Sequence, residues 1–204
     1  MNKRTWFLMF LTCLIGFSTL TVSCSSDDDT TEEVDEWFRD SDFTGKSRNG
    51  AAGFTINNIG YLTTGYDGTT FRKDTWSFDP ATGSWNELEA FPGDARYDAA
   101  AFVIGNTAYV GSGITGSKKY SKDFYKFDAT TKTWSPIAPL PTTEDGIYGA
   151  VAFSVNGKGY VGCGYSEEND WLKDFYEYNP SSDTWTKLTN FPGSKRVYGF
   201  SFVI

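Results

Sequence analysis

Three arginines at equivalent places in the chain suggest that it binds anions. Arg48, Arg96 and Arg196 each stand three residues before an Ala or Gly. A guanidinium is a planar fork of donors that suits carboxylates. Arginines brought together repel one another unless acids or an anionic ligand lie among them. Both outcomes remain open, and the acids that could pair with the arginines are Asp94, Asp98 and Asp145.

Aromatic residues accompany this series and could stack on sugars or on protein side chains. Tyr97, Tyr148 and Tyr198 follow at or next to the arginine position, although Ile147 replaces the arginine once. Segments of variable length add further aromatic residues, for which simple solvated loops are the alternative. The predicted ligand-binding residues are Arg48, Arg96, Arg196, Tyr66, Tyr97, Asp98, Tyr120, Tyr148, Trp171 and Tyr198.

Catalytic chemistry has little support in the sequence. The chain contains no histidine, the commonest general base near neutral pH and the commonest ligand of zinc and copper. Glu167 or Glu168 together with Arg96 could form an acid–base site with an anion-binding group, but no spacing is diagnostic. We therefore predict no catalytic residue, no metal and no cofactor.

An internal repeat of about 50 residues organises the chain. Trp85, Trp134 and Trp185 are separated by 49 and 51 residues, and Trp37 precedes the first of them by 48. Each of the three has an aromatic residue seven positions before it, a Lys-Asp pair further upstream and a Phe-Pro or Leu-Pro pair downstream. A tryptophan kept in every repeat is expected to be core, because a buried aromatic ring hides about 150–250 Å².

Each repeat reads as four strands, a to d. In the first copy they are expected at about 51–56, 60–65, 74–79 and 84–89. Two-residue turns with residues that tolerate positive φ connect strands a and b: Asn57-Asn58, Gly105-Asn106 and Asn156-Gly157.

These features resemble the kelch repeat, and the resemblance covers residues 37–204. The motif Tyr-(Val/Leu)-x-x-Gly and the aromatic-x6-Trp spacing match. Kelch blades usually carry Gly-Gly after strand b, whereas this chain has Thr64-Gly65, Ser112-Gly113 and Cys163-Gly164. The resemblance implies an all-β, kelch-type β-propeller like the central domain of galactose oxidase.

The predicted propeller does not close within one chain. Three complete blades span about 48–92, 96–141 and 147–192. A strand d around Trp37 precedes them, and a strand a of a partial fourth blade begins at 196. Propellers usually have four to eight blades. The chain is therefore expected to be a fragment of a longer protein, a remnant of a truncated gene, or a partner in a ring made by two copies.

One face of the propeller is the predicted binding face. The a–b and c–d turns keep their lengths, whereas the b–c and d–a loops vary. These two kinds of loop share one end of an antiparallel blade. Variation confined to one face is typical of a binding surface.

The N-terminus predicts export and lipid anchoring. Lys3 and Arg4 precede an apolar run over 6–20, as in a signal peptide over 1–23. Leu20-Thr21-Val22-Ser23-Cys24 resembles a bacterial lipobox, which implies lipidation at Cys24. The acidic tether over 24–36 is similar to the surface-export signal of Bacteroidetes-type lipoproteins. The predicted location is the outer membrane, exposed at the cell surface.

Charge narrows the choice of partners. The net charge is −8, and because residues 1–23 carry +2, the remainder carries −8 − 2 = −10. Such a surface disfavours nucleic acid. The leading hypothesis is a surface-anchored, non-enzymatic binding module for protein or glycan ligands. The alternative is a carbohydrate-active enzyme of the kelch mutarotase type.

Overall fold

The computed structural model describes residues 41–116, 119–142 and 146–203. Within these ranges the chain forms strands and turns but no helix. Three four-stranded antiparallel sheets follow one another along the chain. Blade 1 contains β1 (Ala52–Ile56), β2 (Ile59–Thr63), β3 (Thr75–Asp79) and β4 (Ser84–Leu88). Blade 2 contains β6 (Ala100–Ile104), β7 (Thr107–Gly111), β9 (Phe124–Asp128) and β10 (Thr133–Ile137). Blade 3 contains β11 (Val151–Val155), β12 (Lys158–Gly162), β15 (Phe175–Asn179) and β16 (Thr184–Lys187).

Two short strand pairs complete the structure. β5 (Arg96–Tyr97) pairs with β8 (Ile114–Thr115), and β13 (Tyr165–Ser166) pairs with β14 (Asp170–Trp171). Both lie at the end of the blades where strand a begins. The predicted all-β architecture with one four-stranded sheet in each repeat is therefore confirmed.

The a–b turns have the predicted geometry in blades 1 and 3. Asn57 and Asn58 have φ of 51° and 61°, and Asn156 and Gly157 have φ of 51° and 72°. In blade 2 only Gly105 has positive φ, at 58°. The turns hold strands a and b in register, so that Phe54 faces Tyr61 and Phe102 faces Tyr109.

The hydrophobic core lies between neighbouring blades. Phe102 stacks on Tyr109 at 4.8 Å between ring centroids, and this pair packs against Tyr178 of blade 3. Phe54 and Tyr61 of blade 1 pack in the same way against Phe127 of blade 2. Blades 1 and 2 therefore each bury one aromatic pair against strand c of the next blade, whereas the equivalent pair of blade 3, Phe153 and Tyr160, is only partly buried and packs on Phe175 of the same blade.

The repeated tryptophans connect blades by hydrogen bonds as well as by packing. Trp134 Nε1 donates to the Glu89 carbonyl at 3.2 Å, and Trp185 Nε1 donates to the Ala138 carbonyl at 2.8 Å. Trp85 Nε1 is buried without a hydrogen-bond partner among the described residues.

Buried ion pairs tie the start of strand a to strand c of the same blade. Arg48 donates from both Nη atoms to Asp74, at 2.8 and 2.6 Å, and Arg96 makes the same two-pronged contact with Asp123. The guanidinium of Arg96 also lies 4.9 Å from the ring centre of Phe91 and donates to the Ser112 carbonyl. The partners are thus the aspartates of the Lys-Asp repeat and not the predicted Asp94 or Asp98, while Asp145 lies outside the described residues.

Blade 3 replaces this unit with apolar residues. Leu140 and Ile147 occupy the Phe and Arg positions and are both fully buried. Asp174 then pairs with Lys187 at 2.8 Å. Phe and Arg are replaced together because the arginine packs over that phenylalanine.

The two residues after strand b adopt a left-handed backbone. Thr64 and Gly65 have φ of 61° and 106°, and Ser112 and Cys163 at the first position have φ of 58° and 57°. This explains the Gly-Gly of kelch blades, because glycine adopts positive φ without steric cost. Thr64 and Ser112 offset part of the strain, since their hydroxyls accept the N–H groups of Ala52 and Ala100. Cys163 is buried, and burial raises the pKa of its thiol.

Of the two predicted partial blades, only the one at the C-terminal end lies among the described residues. The leading strand d around Trp37, the signal peptide and Cys24 lie outside the described residues. The segment after Arg196 runs beside β11, where Ser201 Oγ donates to the Ala152 carbonyl at 3.0 Å. It does not form the predicted strand a, because the described residues include no strand b to pair with it. Phe200 and Phe202 are consequently exposed, and the three sheets do not close into a ring.

No stretch of the described residues forms a helix long and apolar enough to span a membrane.

The buried ion pair generates the first prediction. Arg96→Met should lower the free energy of unfolding by about 1–3 kcal/mol, because it leaves the buried Ser112 carbonyl and the partly exposed Asp123 carboxylate without the guanidinium. Lys187→Met is the matched control and should cost less than about 1 kcal/mol, since its ion pair with Asp174 is largely exposed. Urea unfolding measures both, and equal losses would contradict the assignment.

The same variant should change the pH dependence of stability. Burial alone would raise the pKa of Asp123, but its hydrogen bonds and ion pair with Arg96 outweigh this and place the pKa below its ordinary value. In the native protein this stabilisation is present above the ordinary carboxyl pKa and is lost as the pH falls through the lowered one. In Arg96→Met only the hydrogen bonds from Ser121 and Tyr125 still oppose the effect of burial on the pKa of Asp123, so the deficit should shrink in acid as Asp123 takes up a proton.

The left-handed positions generate a second prediction. Gly149 has φ of 60°, and a Cβ there would lie 2.4 Å from Cγ2 of Val197. Gly149→Ala should therefore destabilise the protein by more than about 1 kcal/mol. Gly53→Ala is the control, because a Cβ there would lie no closer than 3.8 Å to the nearest atom, the Tyr61 carbonyl oxygen. Thermal unfolding compares the two, and a neutral Gly149→Ala would show that the backbone can relax.

Candidate functional site

A row of backbone hydrogen bonds links the blades where strand a begins. The Asp98 N–H donates to the Gly50 carbonyl at 2.8 Å, Gly149 donates to Asp98 at 3.2 Å, and Tyr198 donates to Gly149 at 2.9 Å. All four residues are left-handed, with φ of 57°, 55°, 60° and 56° from Gly50 to Tyr198. We call this row the belt. It fixes the relative positions of side chains that are about 50 residues apart in sequence.

The three residues that directly follow each of the four belt residues form the wall of a concavity. Its volume is about 260 Å³, and its lining comes from residues 51–53, 99–101, 150–152 and 199–201. Most of the lining side chains are alanine or glycine, so backbone approaches backbone closely. The belt therefore lies at one end of the inner wall of the propeller.

Aromatic rings gather around the belt. Tyr148 is central, with ring centroids 5.1 Å from Tyr120, 5.4 Å from Tyr165 and 6.1 Å from Tyr198. Tyr66, Phe71 and Tyr97 form a second group with spacings of 5.1 to 5.9 Å. We call these seven residues the tyrosine cluster. Tyr198 is exposed and the other six are partly buried.

The two groups form one surface. Burial is the main cause of the raised pKa of Tyr148, and the neighbouring Tyr165 and Tyr97 raise it further. Tyr97 also contributes to the raised pKa of Tyr120, after burial. These phenols are therefore neutral donors at physiological pH. All three blades and the trailing segment contribute to the surface.

Asp98 is the carboxylate of this surface. Its Oδ2 accepts a hydrogen bond from the Tyr198 hydroxyl at 2.8 Å. Its Oδ1 lies where a Cβ on Gly50 would be 2.6 Å away, so only glycine at position 50 leaves room for it. Burial raises the pKa of Asp98, and the hydrogen bond from Tyr198 opposes that rise.

The predicted site residues divide into two sets. Tyr66, Tyr97, Asp98, Tyr120, Tyr148 and Tyr198 come together in or beside the tyrosine cluster. Arg48 and Arg96 do not, because their side chains are only 2% and 1% exposed and are held by Asp74 and Asp123. The interpretation of these two arginines as ligand contacts is replaced by a structural role.

Arg196 and Trp171 lie apart from both sets. Arg196 is exposed, stacks on Phe191 at 4.5 Å, and makes no ion pair within the part of the chain that the structure describes. Trp171 is 55% exposed on the β13–β14 hairpin. Its ring contacts no other aromatic ring among the described residues. Trp171 remains a candidate ligand contact on the rim.

Sequence reasoning missed Phe71, Tyr165 and the two belt glycines. Tyr165 could have been found, because it follows Gly164 as Tyr66 follows Gly65. Gly50 and Gly149 occupy the same repeat position as Asp98, one residue before strand a's first alanine. Equivalence by repeat position was the available signal in each case.

Catalytic groups are sparse around this surface. Glu167 and Glu168 are exposed on the turn between β13 and β14, and Glu167 is close enough to Tyr120 to contribute to its raised pKa, for which burial is the main cause. Arg96 is committed to Asp123 and cannot serve them as an anion-binding group. Within the described ranges, no three His, Cys, Asp or Glu side chains are grouped as metal ligands.

Comparison with solved structures agrees with this fold. A structure of YjhT superposes with a TM-score of 0.63 at 20% sequence identity, covering 74% of this chain and 58% of that one. At this identity the likeness concerns the fold alone.

Relatives of known name match shorter stretches. N-acetylneuraminate epimerase of Pasteurella multocida (strain Pm70) is 42% identical over 71 residues, which is 32% of this chain and 18% of the epimerase. Kelch domain-containing protein 3 of Bos taurus and of Homo sapiens is 35% identical over 63 residues, 30% of this chain and 16% of the relative. The chain thus spans less than a fifth of these relatives.

A profile of the family described as the KLHDC2/KLHL20/DRC7 Kelch-repeats domain matches residues 55–200. That range contains all three blades except the start of β1. It covers more than half of the chain, and the three four-stranded sheets agree with it. The chain belongs to this kelch-repeat family.

Proposed function

We propose that this protein is a non-enzymatic binding module whose site is the tyrosine cluster, and that it is held at the cell surface by a lipid on Cys24. The observation that carries the proposal is the convergence of aromatic side chains from every blade at one end of the inner wall. The repeat itself requires no tyrosine at these loop positions, since Asn49 and Ile114 occupy two of them.

Of the two ligand classes, protein or glycan, the cluster favours a glycan. A tyrosine offers an apolar face to a sugar ring and a hydroxyl to its hydroxyl groups. The hydroxyls of Tyr97, Tyr120 and Tyr148 make no hydrogen bond within the described residues, and burial raises the pKa of each. Donors held in place beside apolar faces are the usual arrangement of a small-molecule site.

A carbohydrate-active enzyme is the second candidate, because of the relative named N-acetylneuraminate epimerase. Under this proposal Glu167 or Glu168 would transfer the proton. Arg96 could not hold the anion, since Asp123 occupies its guanidinium. NMR of N-acetylneuraminate anomers with wild type and with Glu167→Gln plus Glu168→Gln decides the matter. A rate enhancement lost in the double variant would favour the enzyme.

Binding to a glycan array tests the leading proposal. Tyr148→Leu should weaken retention of any glycan that binds at least about fivefold, because it removes the ring at the centre of the cluster. Tyr160→Leu is the matched control, since Tyr160 lies in the middle of β12 and its hydroxyl is bound to Glu177. An unchanged Tyr148→Leu, or no glycan bound by wild type, would refute the site.

Metabolic labelling with a fatty acid tests the anchor. Cys24→Ala should abolish incorporation of the lipid and release the protein from the membrane fraction. Cys13→Ala is the control, because the proposal places Cys13 in the signal peptide that is removed. Continued labelling of Cys24→Ala would refute lipidation at that residue.

A further inference from the structure

Asp98 differs from the other partly buried aspartates. Four of these pair with a cation: Asp67 with Arg72, Asp74 with Arg48, Asp123 with Arg96 and Asp174 with Lys187. Two more, Asp79 and Asp128, accept backbone N–H groups within turns. Within the described ranges Asp98 has neither kind of partner for its Oδ1. Its one side-chain hydrogen bond comes from a neutral phenol, the Tyr198 hydroxyl.

The position of this carboxylate is fixed by the backbone. The Asp98 N–H and carbonyl both take part in the belt, at 2.8 and 3.2 Å. Gly50 packs closely against Oδ1, since a Cβ at position 50 would lie 2.6 Å from it. The carboxylate is therefore held at the belt, where no cationic side chain among the described residues pairs with it.

The surroundings of Asp98 favour a positive charge. Phenol rings present a negative face, and a cation within about 6 Å of a ring centroid is attracted to it. Tyr97, Tyr148 and Tyr198 are all near enough to Asp98 for its charge to contribute to their raised pKa values, although burial is the main cause in each. Of the three arginines expected near this surface, Arg48 and Arg96 are neutralised by Asp74 and Asp123, and Arg196 stacks on Phe191.

The charge of the blades also slightly favours a cationic ligand. Residues 41–204 carry 15 Lys and Arg against 18 Asp and Glu, a net charge of −3, which mildly favours cations over anions near their surface. A neutral sugar would gain nothing from this field. A sugar with an ammonium group would gain both the field and a direct partner.

We infer that the glycan recognised by the tyrosine cluster is an amino sugar, whose ammonium group binds Asp98 Oδ1 while the adjacent rings enclose it. The inference rests on the proposed glycan-binding function and specifies its ligand. No bond is made or broken: the ammonium donates hydrogen bonds to the carboxylate and remains protonated.

The test uses two probes that differ only in charge. A short oligomer of β-1,4-linked glucosamine carries free ammonium groups, and its fully N-acetylated counterpart has the same backbone without them. Calorimetric titration of the full-length protein near neutral pH should give at least about tenfold tighter binding of the amine form, equivalent to about 1.4 kcal/mol.

Two variants locate the effect. Asp98→Asn should abolish the preference, yet it keeps the fold, because asparagine tolerates the left-handed backbone and can still accept from Tyr198. Asp94→Asn is the matched control, since Asp94 is exposed on the adjacent d–a loop and its side chain makes no hydrogen bond within the described residues. It removes the same charge and should leave the preference intact.

The outcomes are distinct. Equal binding of the two oligomers, tighter binding of the acetylated one, or an equal loss in both variants would overturn the inference while leaving glycan binding in place. Binding of neither oligomer would also overturn it. Whether the protein binds glycans at all is decided separately by the array, which contains neutral, acidic and amino-sugar glycans.

Discussion

Neighbouring sheets of this protein depend on each other to bury their aromatic side chains. A four-stranded sheet of about 20 residues has no core of its own, so its stability comes from contact with its neighbours. Here that contact has three parts: a stacked Phe-Tyr pair, a tryptophan that donates to the preceding blade, and the arginine–phenylalanine stack. Where a neighbour is not described, the same residue types are exposed or unpartnered, as Phe202 and Trp85 Nε1 show.

This dependence decides what the arginines can do. A row of arginines near a propeller axis suggests anion recognition. A guanidinium that is nearly fully buried against a carboxylate, however, stabilises the fold and cannot contact a ligand. The positions that remain for recognition are therefore the tyrosines and Asp98. They give the surface a character opposite to the one that the arginines suggested.

Much of the architecture could be predicted because it is repeated. The strand positions followed from the 50-residue period to within one or two residues, and the a–b turns followed from their Asn and Gly residues. The partners of Arg48 and Arg96 could not be predicted by proximity in sequence, since Asp74 and Asp123 are 26 and 27 residues away. The Lys-Asp repeat that contains them was visible, but no local rule connects it to strand a. Tertiary geometry alone brings them together.

The sequence predicted most of the side chains in the candidate site, but it did not predict how the folded backbone arranges them. Aromatic residues in variable loops pointed to Tyr66 and Tyr120, the arginine series pointed to Tyr148, and the structure places all three in the tyrosine cluster. The belt has no signature in a single repeat, because Gly50, Asp98, Gly149 and Tyr198 share no side-chain chemistry. Their common property is a positive φ, which only the folded backbone reveals.

That shared φ limits how such a surface can diversify. A belt residue must tolerate the left-handed region, which excludes most branched side chains. The residue immediately before it is unrestricted, and here it is Asn49, Tyr97, Tyr148 and Val197 in turn. New specificity is therefore expected to arise chiefly at that preceding residue, where a single substitution alters the ligand surface and leaves the joints between blades untouched.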